Sequence, residues 1–248
     1  MKIGVIGTGS IGGVLAAKLS AAGHDVRVAN SRGVEGVREF AEGICAKPVD
    51  TRGAVQDVDV VILSIPFGAI EKLPADLFDG SPNDLPIIDT GNYYPAMRDP
   101  RVIELDAGLP ESVWVSQRLG RPIIKAFNNV LAFSLAELGR SERENDRLAV
   151  AIAGDDERAK KLTGQLVSDA GFEAVDAGPL SESWRQQPST PSYCCDFNAQ
   201  QMREALAAAK PGEAAMKRDK LKEQFSRLGP YPTHAQIVAS NRATNAPG

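Results

Sequence analysis

Cysteine and histidine are scarce in this chain, with three cysteines and two histidines among 248 residues. Cys45, Cys194 and Cys195 do not make a disulfide framework, and adjacent cysteines rarely bridge to each other. Reduced thiols in a cytoplasmic protein are the expectation. His24 and His234 lie far apart, and no Cys/His spacing suggests zinc, so no metal site is expected. No serine–histidine–acid or cysteine–histidine arrangement stands out. The longest apolar run, residues 60–70, contains Ser64 and Pro66 and is too short to span a bilayer. Met1-Lys2 and the apolar stretch after it resemble a secretory leader only superficially. Gly4, Gly7, Gly9, Gly12, Gly13 and Ser10 break that stretch. The net charge of −4 carries no excess of positive charge. It gives no general attraction to nucleic acid or to anionic membranes, and neither is expected as a partner.

What is present is ordinary globular material. A hydrophobic fraction of 43% and a charged fraction of 24% suffice for a substantial core, which excludes disorder as the main state. The length allows one large or two modest domains. There is no internal repeat and no low-complexity tract.

Strand and helix signals alternate along the first part of the chain. Residues 2–6 (KIGVI) read as a short buried strand. Ile11, Leu15 and Leu19 then recur at helical spacing until Gly23 stops the helix. Residues 25–29 form a second strand, 34–42 a helix and 44–46 a weak third strand. Residues 59–65 (DVVILSI) are continuously apolar but for their first residue and Ser64, as in a strand covered on both faces, and Pro66 ends them. Further strands are read at 86–90, 121–127, 148–154 and 172–176. Helices fall at 112–119 and after Asp155 or Asp156, either of which can cap the latter. This alternation predicts an α/β fold, a Rossmann-type doubly wound, mostly parallel sheet. After Gly178 the character changes. Residues 181–196 read as a long polar loop, followed by helices at about 197–209, 213–227 and 233–241, with a frayed tail from Ala243. The expected division is a Rossmann-type doubly wound domain, 1–178, and a loop plus small C-terminal helical appendage, 179–248.

Gly7-Thr8-Gly9-Ser10-Ile11-Gly12 is a G-x-G-x-x-G loop placed between a strand and an amphipathic helix, the context that gives the pattern meaning. Gly7 permits the tight turn, Gly9 lets a pyrophosphate approach the backbone, and Gly12 allows close helix–strand packing. The helix N-terminus offers free N–H groups to phosphate. In an NAD-specific site an acid at the end of the second strand bonds the ribose 2′-hydroxyl. This chain has Asn30-Ser31-Arg32 there and no acid. Ser31 can donate to a 2′-phosphate, Arg32 can grip it through its guanidinium fork, and Asn30 can add a donor. The cofactor read from these residues is NADP(H).

Ligands of open α/β sheets lie across the carboxyl ends of the strands. Ser64, Ile65 and Pro66 follow the fourth strand, Asn92 the fifth and Asn128 the sixth. Asn92 and Asn128 are expected near the nicotinamide, with turn or cap roles as the alternative. Lys125 stands inside an apolar strand. It is either a proton donor to a reduced oxygen, a holder of a carboxylate, or half of a buried ion pair. With Asn128 it is the candidate for catalysis. Tyr93 and Tyr94 are alternative sources of a phenol.

Several of these segments occur together and in order: residues 2–12, 29–32 (ANSR), 65–67 (IPF), 124–128 (IKAFN), 153–155 (AGD) and 176–180 (DAGPL). As a set they resemble the NADPH-dependent reductases related to the NADP oxidoreductases of coenzyme F420, a deazaflavin, over about residues 1–180. The same Rossmann type occurs in ferric reductase domains, pyrroline-carboxylate reductases and hydroxyacid dehydrogenases. The resemblance implies direct hydride transfer between stacked rings, which needs alignment and exclusion of water. By position it implies Thr8, Gly9, Ser10 and Ile11 along the pyrophosphate, Ser31 and Arg32 on the 2′-phosphate, and Ile65, Pro66 and Asn128 toward the nicotinamide. After Leu180 the chain departs from the family pattern. Trp184, Arg185 and Tyr193 there either contact a planar or anionic acceptor or pack the appendage on the sheet.

The leading function is therefore hydride transfer between NADPH and a small redox acceptor such as a deazaflavin, a flavin or a similar molecule. The alternatives are a carbonyl or imine reductase that uses Lys125 or a tyrosine as proton donor, and a non-catalytic NADP(H)-sensing protein. The mixed charges of the tail fit a solvated helix face, and also a homodimer contact.

Overall fold

The computed structural model of the chain describes residues 1–95 and 97–246. Its first half is a six-stranded parallel sheet in the order β3-β2-β1-β4-β5-β6. The strands are β1 (Lys2–Ile6), β2 (Asp25–Ala29), β3 (Lys47–Pro48), β4 (Val60–Leu63), β5 (Ile87–Asp89) and β6 (Ile124–Lys125). This is the doubly wound order, reversing direction between β1 and β4. Four further elements complete the α/β part: α1 (Gly12–Ala21), α2 (Gly33–Gly43), α3 (Ile103–Asp106) and α4 (Glu111–Leu119). A 3-10 helix, Phe67–Lys72, follows β4.

The two faces of the sheet bury different cores because the strands are apolar on both sides. Val5, Ile62 and Ile88 pack with Leu15 and Leu19 of α1 and Val37 of α2. Leu63, Ile87 and Phe67 pack with Trp114 and Val115 of α4. Continuous burial along β4 is what the unbroken apolar run predicts for a parallel strand.

The remaining elements are α5 (Ala132–Glu137), β7 (Ala149–Ile152), α6 (Glu157–Asp169), β8 (Glu173–Asp176), α7 (Ala199–Ala208), α8 (Glu213–Arg218), α9 (Leu221–Arg227) and α10 (His234–Asn245), with a second 3-10 helix at Leu180–Gln186. Strands β7 and β8 pair in parallel as a separate two-stranded sheet. They join the larger sheet through one antiparallel bridge, in which Lys125 N–H donates to Ala153 O at 2.8 Å and Ala153 N–H returns the bond at 3.0 Å. Helix α7 covers β7 and β8 with Met202 and Leu206. Helix α7, well after residue 178, is thus packed onto the fold, whereas α8 buries no residue.

Four sequence expectations change. The third strand lies at Lys47–Pro48 and not at 44–46, because Cys45 takes a left-handed backbone (φ 55°) and Ala46 N–H turns back to Ala41 O. The strand expected at 121–127 shrinks to two residues: Pro122 has no N–H to donate, and Phe127 leaves the ladder at φ 58°. The helix expected at 213–227 is two helices, α8 and α9, separated at Asp219 and Lys220. The tail is not frayed at Ala243, since α10 runs to Asn245, whose Nδ2 donates to Tyr193 O at 3.0 Å. The cap before α6 is Asp156, which accepts from Ala159 N–H at 2.7 Å, while Asp155 accepts from Leu180 N–H at 3.0 Å.

Candidate functional site

A cleft of about 600 Å³ opens at the carboxyl ends of β1, β2 and β4, lined by residues that include Gly7, Thr8, Gly9, Asn30, Ser31, Arg32, Ser64, Ile65 and Pro66. Its shape follows from the glycines. Gly7 has φ 103°, and a Cβ on it would run into the Ser64 carbonyl. A Cβ on Gly12 would strike Gly7 O. Both glycines are therefore required by packing alone. Gly9 differs: nothing lies within 4 Å of a Cβ built there, so its missing side chain leaves open space at the loop and not a closer chain contact. The N-terminus of α1 carries no side-chain cap and no acid in its first turn, which leaves its N–H groups and positive end for an anion.

Asn30 organises the loop. Its Nδ2 donates to Thr8 Oγ1 at 3.1 Å, and its Oδ1 accepts from Arg32 N–H at 2.9 Å. Its amide thus ties the glycine loop to the end of β2, in place of the expected phosphate donor. Ser31 and Arg32 are exposed at the mouth. Among the described residues the Arg32 guanidinium makes no ion pair, and neither does Lys72, which lines the same cleft, as does Thr51. The lining holds two cations and no carboxylate, in a chain whose net charge is −4. Ser10, Ile11 and Gly12 stand at the entrance to α1, behind the lining. Thr51 and Lys72 are site residues that the motif reading missed, because they come from segments with no pattern of their own.

The carboxyl ends of β5 and β6 are closed by their own polar groups. Asn92 and Asn128 do meet, but each serves the other: Asn128 Nδ2 donates to Asn92 Oδ1 at 3.1 Å, and Asn92 Nδ2 to Asn128 O at 2.9 Å. Gln186 completes the set, donating from Nε2 to Asn128 Oδ1 at 2.9 Å and accepting at its backbone carbonyl from Asn128 Nδ2 at 2.7 Å. Asn128 is buried, so its amide is fully engaged inside the protein.

Lys125 is completely buried, with Nζ 2.9 Å from Asp89 Oδ2 and bonded also to Gly91 O. Of the readings left open for Lys125, the geometry supports the buried ion pair. The tyrosines fare similarly as acids. Tyr93 OH accepts from Val102 N–H at 2.8 Å, and burial raises its pKa. Burial also holds the Tyr94 and Tyr193 phenols, which contact each other, well above the usual tyrosine range. A phenol shifted upward releases its proton less readily. Arg185 stacks on Trp184 and pairs with Glu182 at 2.7 Å, so it fastens the 3-10 helix. Cys194 and Cys195 are buried free thiols, the latter pushed up to about 11 by burial, and neither is a ready nucleophile. His24 pairs with Asp169 at 3.0 Å, away from the cleft. Among the described residues no group of three His, Cys, Asp or Glu side chains is placed to hold a metal, and no helix is long and apolar enough to cross a membrane.

The sheet order, the glycine loop and the acid-free mouth define a Rossmann-type dinucleotide-binding protein. Residues 2–93 match the family described as NADP oxidoreductase coenzyme F420-dependent, and the chain belongs to that family. The Escherichia coli K12 protein YjhV is 48% identical over 106 residues, which cover 43% of this chain and 77% of YjhV. A hypothetical protein, SMa0349 of Sinorhizobium meliloti, has 28% identity and a TM-score of 0.63 over 75% of this chain and 89% of its own. A protein assigned as an F420-dependent NADP reductase from Arthrobacter sp. FB24 shares the fold, with 18% identity and a TM-score of 0.57 over 74% of this chain and 87% of its own.

Proposed function

We propose that the chain is an NADPH-dependent oxidoreductase that transfers a hydride between NADPH and a small redox acceptor such as a deazaflavin or flavin. The observation that carries this reading is the cleft itself, with two cations, an uncapped helix N-terminus and no carboxylate. A ribose 2′-phosphate fits such a mouth, whereas an NAD site uses an acid there. Ser31 would donate to the 2′-phosphate, and Arg32 would bond it through two parallel N–H groups. The open space at Gly9 and the free N–H groups of α1 would hold the pyrophosphate. Ile65 and Pro66, which line the cleft, would give the nicotinamide an apolar wall. Bound there, the nicotinamide supplies the hydride.

The same geometry favours an acceptor that needs no proton from the protein. Lys125 and Tyr93 are buried and bonded, and the half-buried Tyr94 and Tyr193 bond each other, so a carbonyl or imine reductase would lack a ready acid among them. The test is NADPH oxidation by the purified protein with coenzyme F420, FMN, a quinone and a set of carbonyl compounds. Turnover with the deazaflavin or flavin and not with carbonyls is expected. Turnover confined to carbonyls would overturn the choice of acceptor. Tight NADPH binding with no turnover would favour the sensing protein.

A further inference from the structure

A second cavity, of about 220 Å³, lies where the Rossmann half meets the C-terminal region. Glu111, Leu105 and Leu109 line it from one side, and Trp184, Gln187 and Arg218 from the other. Its volume equals that of roughly seven waters, enough for a small metabolite and too little for a nucleotide. Residues 90–93 bond to both this cavity and the nucleotide cleft. Thr90 at one end donates to Ser64, on the cleft, at 2.9 Å, and Tyr93 N–H at the other end donates to Glu111, in the cavity, at 3.1 Å.

The polar groups facing this cavity are poorly matched within the protein. Glu111 is 3% exposed and the Arg218 side chain 10%, so both ionisable groups are nearly out of water. Among the described residues Arg218 hydrogen-bonds its chain neighbour Asp219 alone, at 3.4 Å from both Nε and Nη2, and lies over the Tyr93 ring at 5.0 Å. Contacts that long are weak hydrogen bonds. Glu111 accepts a single bond through Oε2. Among the described residues no ion pair joins Glu111 to Arg218, although both line the same space. Nε2 of Gln187 is buried with no hydrogen-bond partner. A buried guanidinium and an idle amide donor are costly unless something accepts from them. Lys210 also lines the cavity but is paired with Glu213 at 3.6 Å, and Trp184 supplies a flat apolar wall.

We propose that this cavity binds a small carboxylic acid bearing a hydroxyl or amino group. Arg218 and the Gln187 amide hold its carboxylate, and Glu111 accepts from its hydroxyl or amine. The site does not depend on which nucleotide fills the neighbouring cleft.

The test is isothermal titration of the full chain with D-glycerate and with L-serine. Acetate, which lacks the donor, and glycerol, which lacks the carboxylate, are the controls. One of the two acids should bind in one-to-one ratio, acetate roughly ten-fold more weakly, and glycerol not measurably. Arg218→Met should weaken the acid roughly ten-fold or more. Gln187→Leu removes an atom with no partner, so the protein should fold normally and still lose acid affinity. Arg32→Ala should leave the acid affinity unchanged. No heat from either acid at millimolar concentration would overturn the proposal. So would an unchanged affinity in Gln187→Leu, or an acid affinity that falls in Arg32→Ala and so belongs to the nucleotide cleft.

Discussion

The carboxyl ends of β1, β2 and β4 belong to the same sheet as those of β5 and β6, yet the two regions treat their polar groups in opposite ways. At the first, Gly9 leaves open space, α1 is uncapped, and Arg32 and Lys72 have no ion pair among the described residues. At the second, Asn92, Asn128 and Gln186 bond one another, and Lys125 is locked to Asp89. The first region fits the nucleotide proposed above. The second is a buried polar scaffold that holds the strand ends and the C-terminal segment in place. Motif position alone does not separate these roles, because both regions stand where a ligand of an open α/β sheet would lie. The difference appears only when each donor's partner is counted.

Breaking the Lys125–Asp89 pair should have the largest effect. Lys125→Met leaves a buried carboxylate with no counter-charge and should cost about 3–5 kcal/mol in urea unfolding. If the residue were instead a proton donor, stability would hold and turnover alone would fall.

Glu111 gives a pH signature of similar origin. Burial, opposed by Lys125 and the Tyr93 N–H bond, pushes its carboxyl up to about 7 from an ordinary 4.5. Below 4.5 it is protonated in both the folded and unfolded chain. Between 4.5 and about 7 only the unfolded chain ionises, so the native state loses stability as pH rises. Measured against Glu111→Gln, the wild type should lose up to roughly 3 kcal/mol across that window. A flat difference would mean that the carboxyl is not perturbed.

The glycines sharpen the contrast within the loop. Gly12→Ala should destabilise by about 1–3 kcal/mol, because its Cβ meets the Gly7 carbonyl. Gly9→Ala should leave the melting temperature unchanged and weaken nucleotide binding. Equal losses of stability in the two variants would show that Gly9 serves the fold and not a ligand.

Much of the first region was legible in the sequence. The strand–loop–helix of residues 2–21 and the strand 25–29 carry clear periodicity, and the missing acid after Ala29 is a single local observation. The second region was not. Lys125 shows as a charge in an apolar strand, but its partner Asp89 is 36 residues away and no pattern links them. Asn92 and Asn128 were placed at the strand ends correctly. Their mutual bond and the third partner, Gln186, depend on the tertiary fold. Glu111 opens a helix, where an acid is ordinary at the positive end, so nothing in the sequence signalled its burial. The break between α8 and α9 falls at Asp219-Lys220, with neither glycine nor proline to mark it. The capping pairs Asn198/Gln201 and Thr233/Gln236, which the placing of helices at about 197–209 and 233–241 did not use, start α7 and α10.

The central claim is that the cleft selects NADP(H) through Arg32. The most direct measurement is the dissociation constant of NADPH and of NADH for the wild type and for Arg32→Ala, by titration calorimetry in one buffer of fixed salt. The account predicts tighter NADPH binding in the wild type, a roughly ten- to hundred-fold loss for NADPH in the variant, and little change for NADH. Equal affinities in the wild type, or losses of equal size for both nucleotides in the variant, would contradict it.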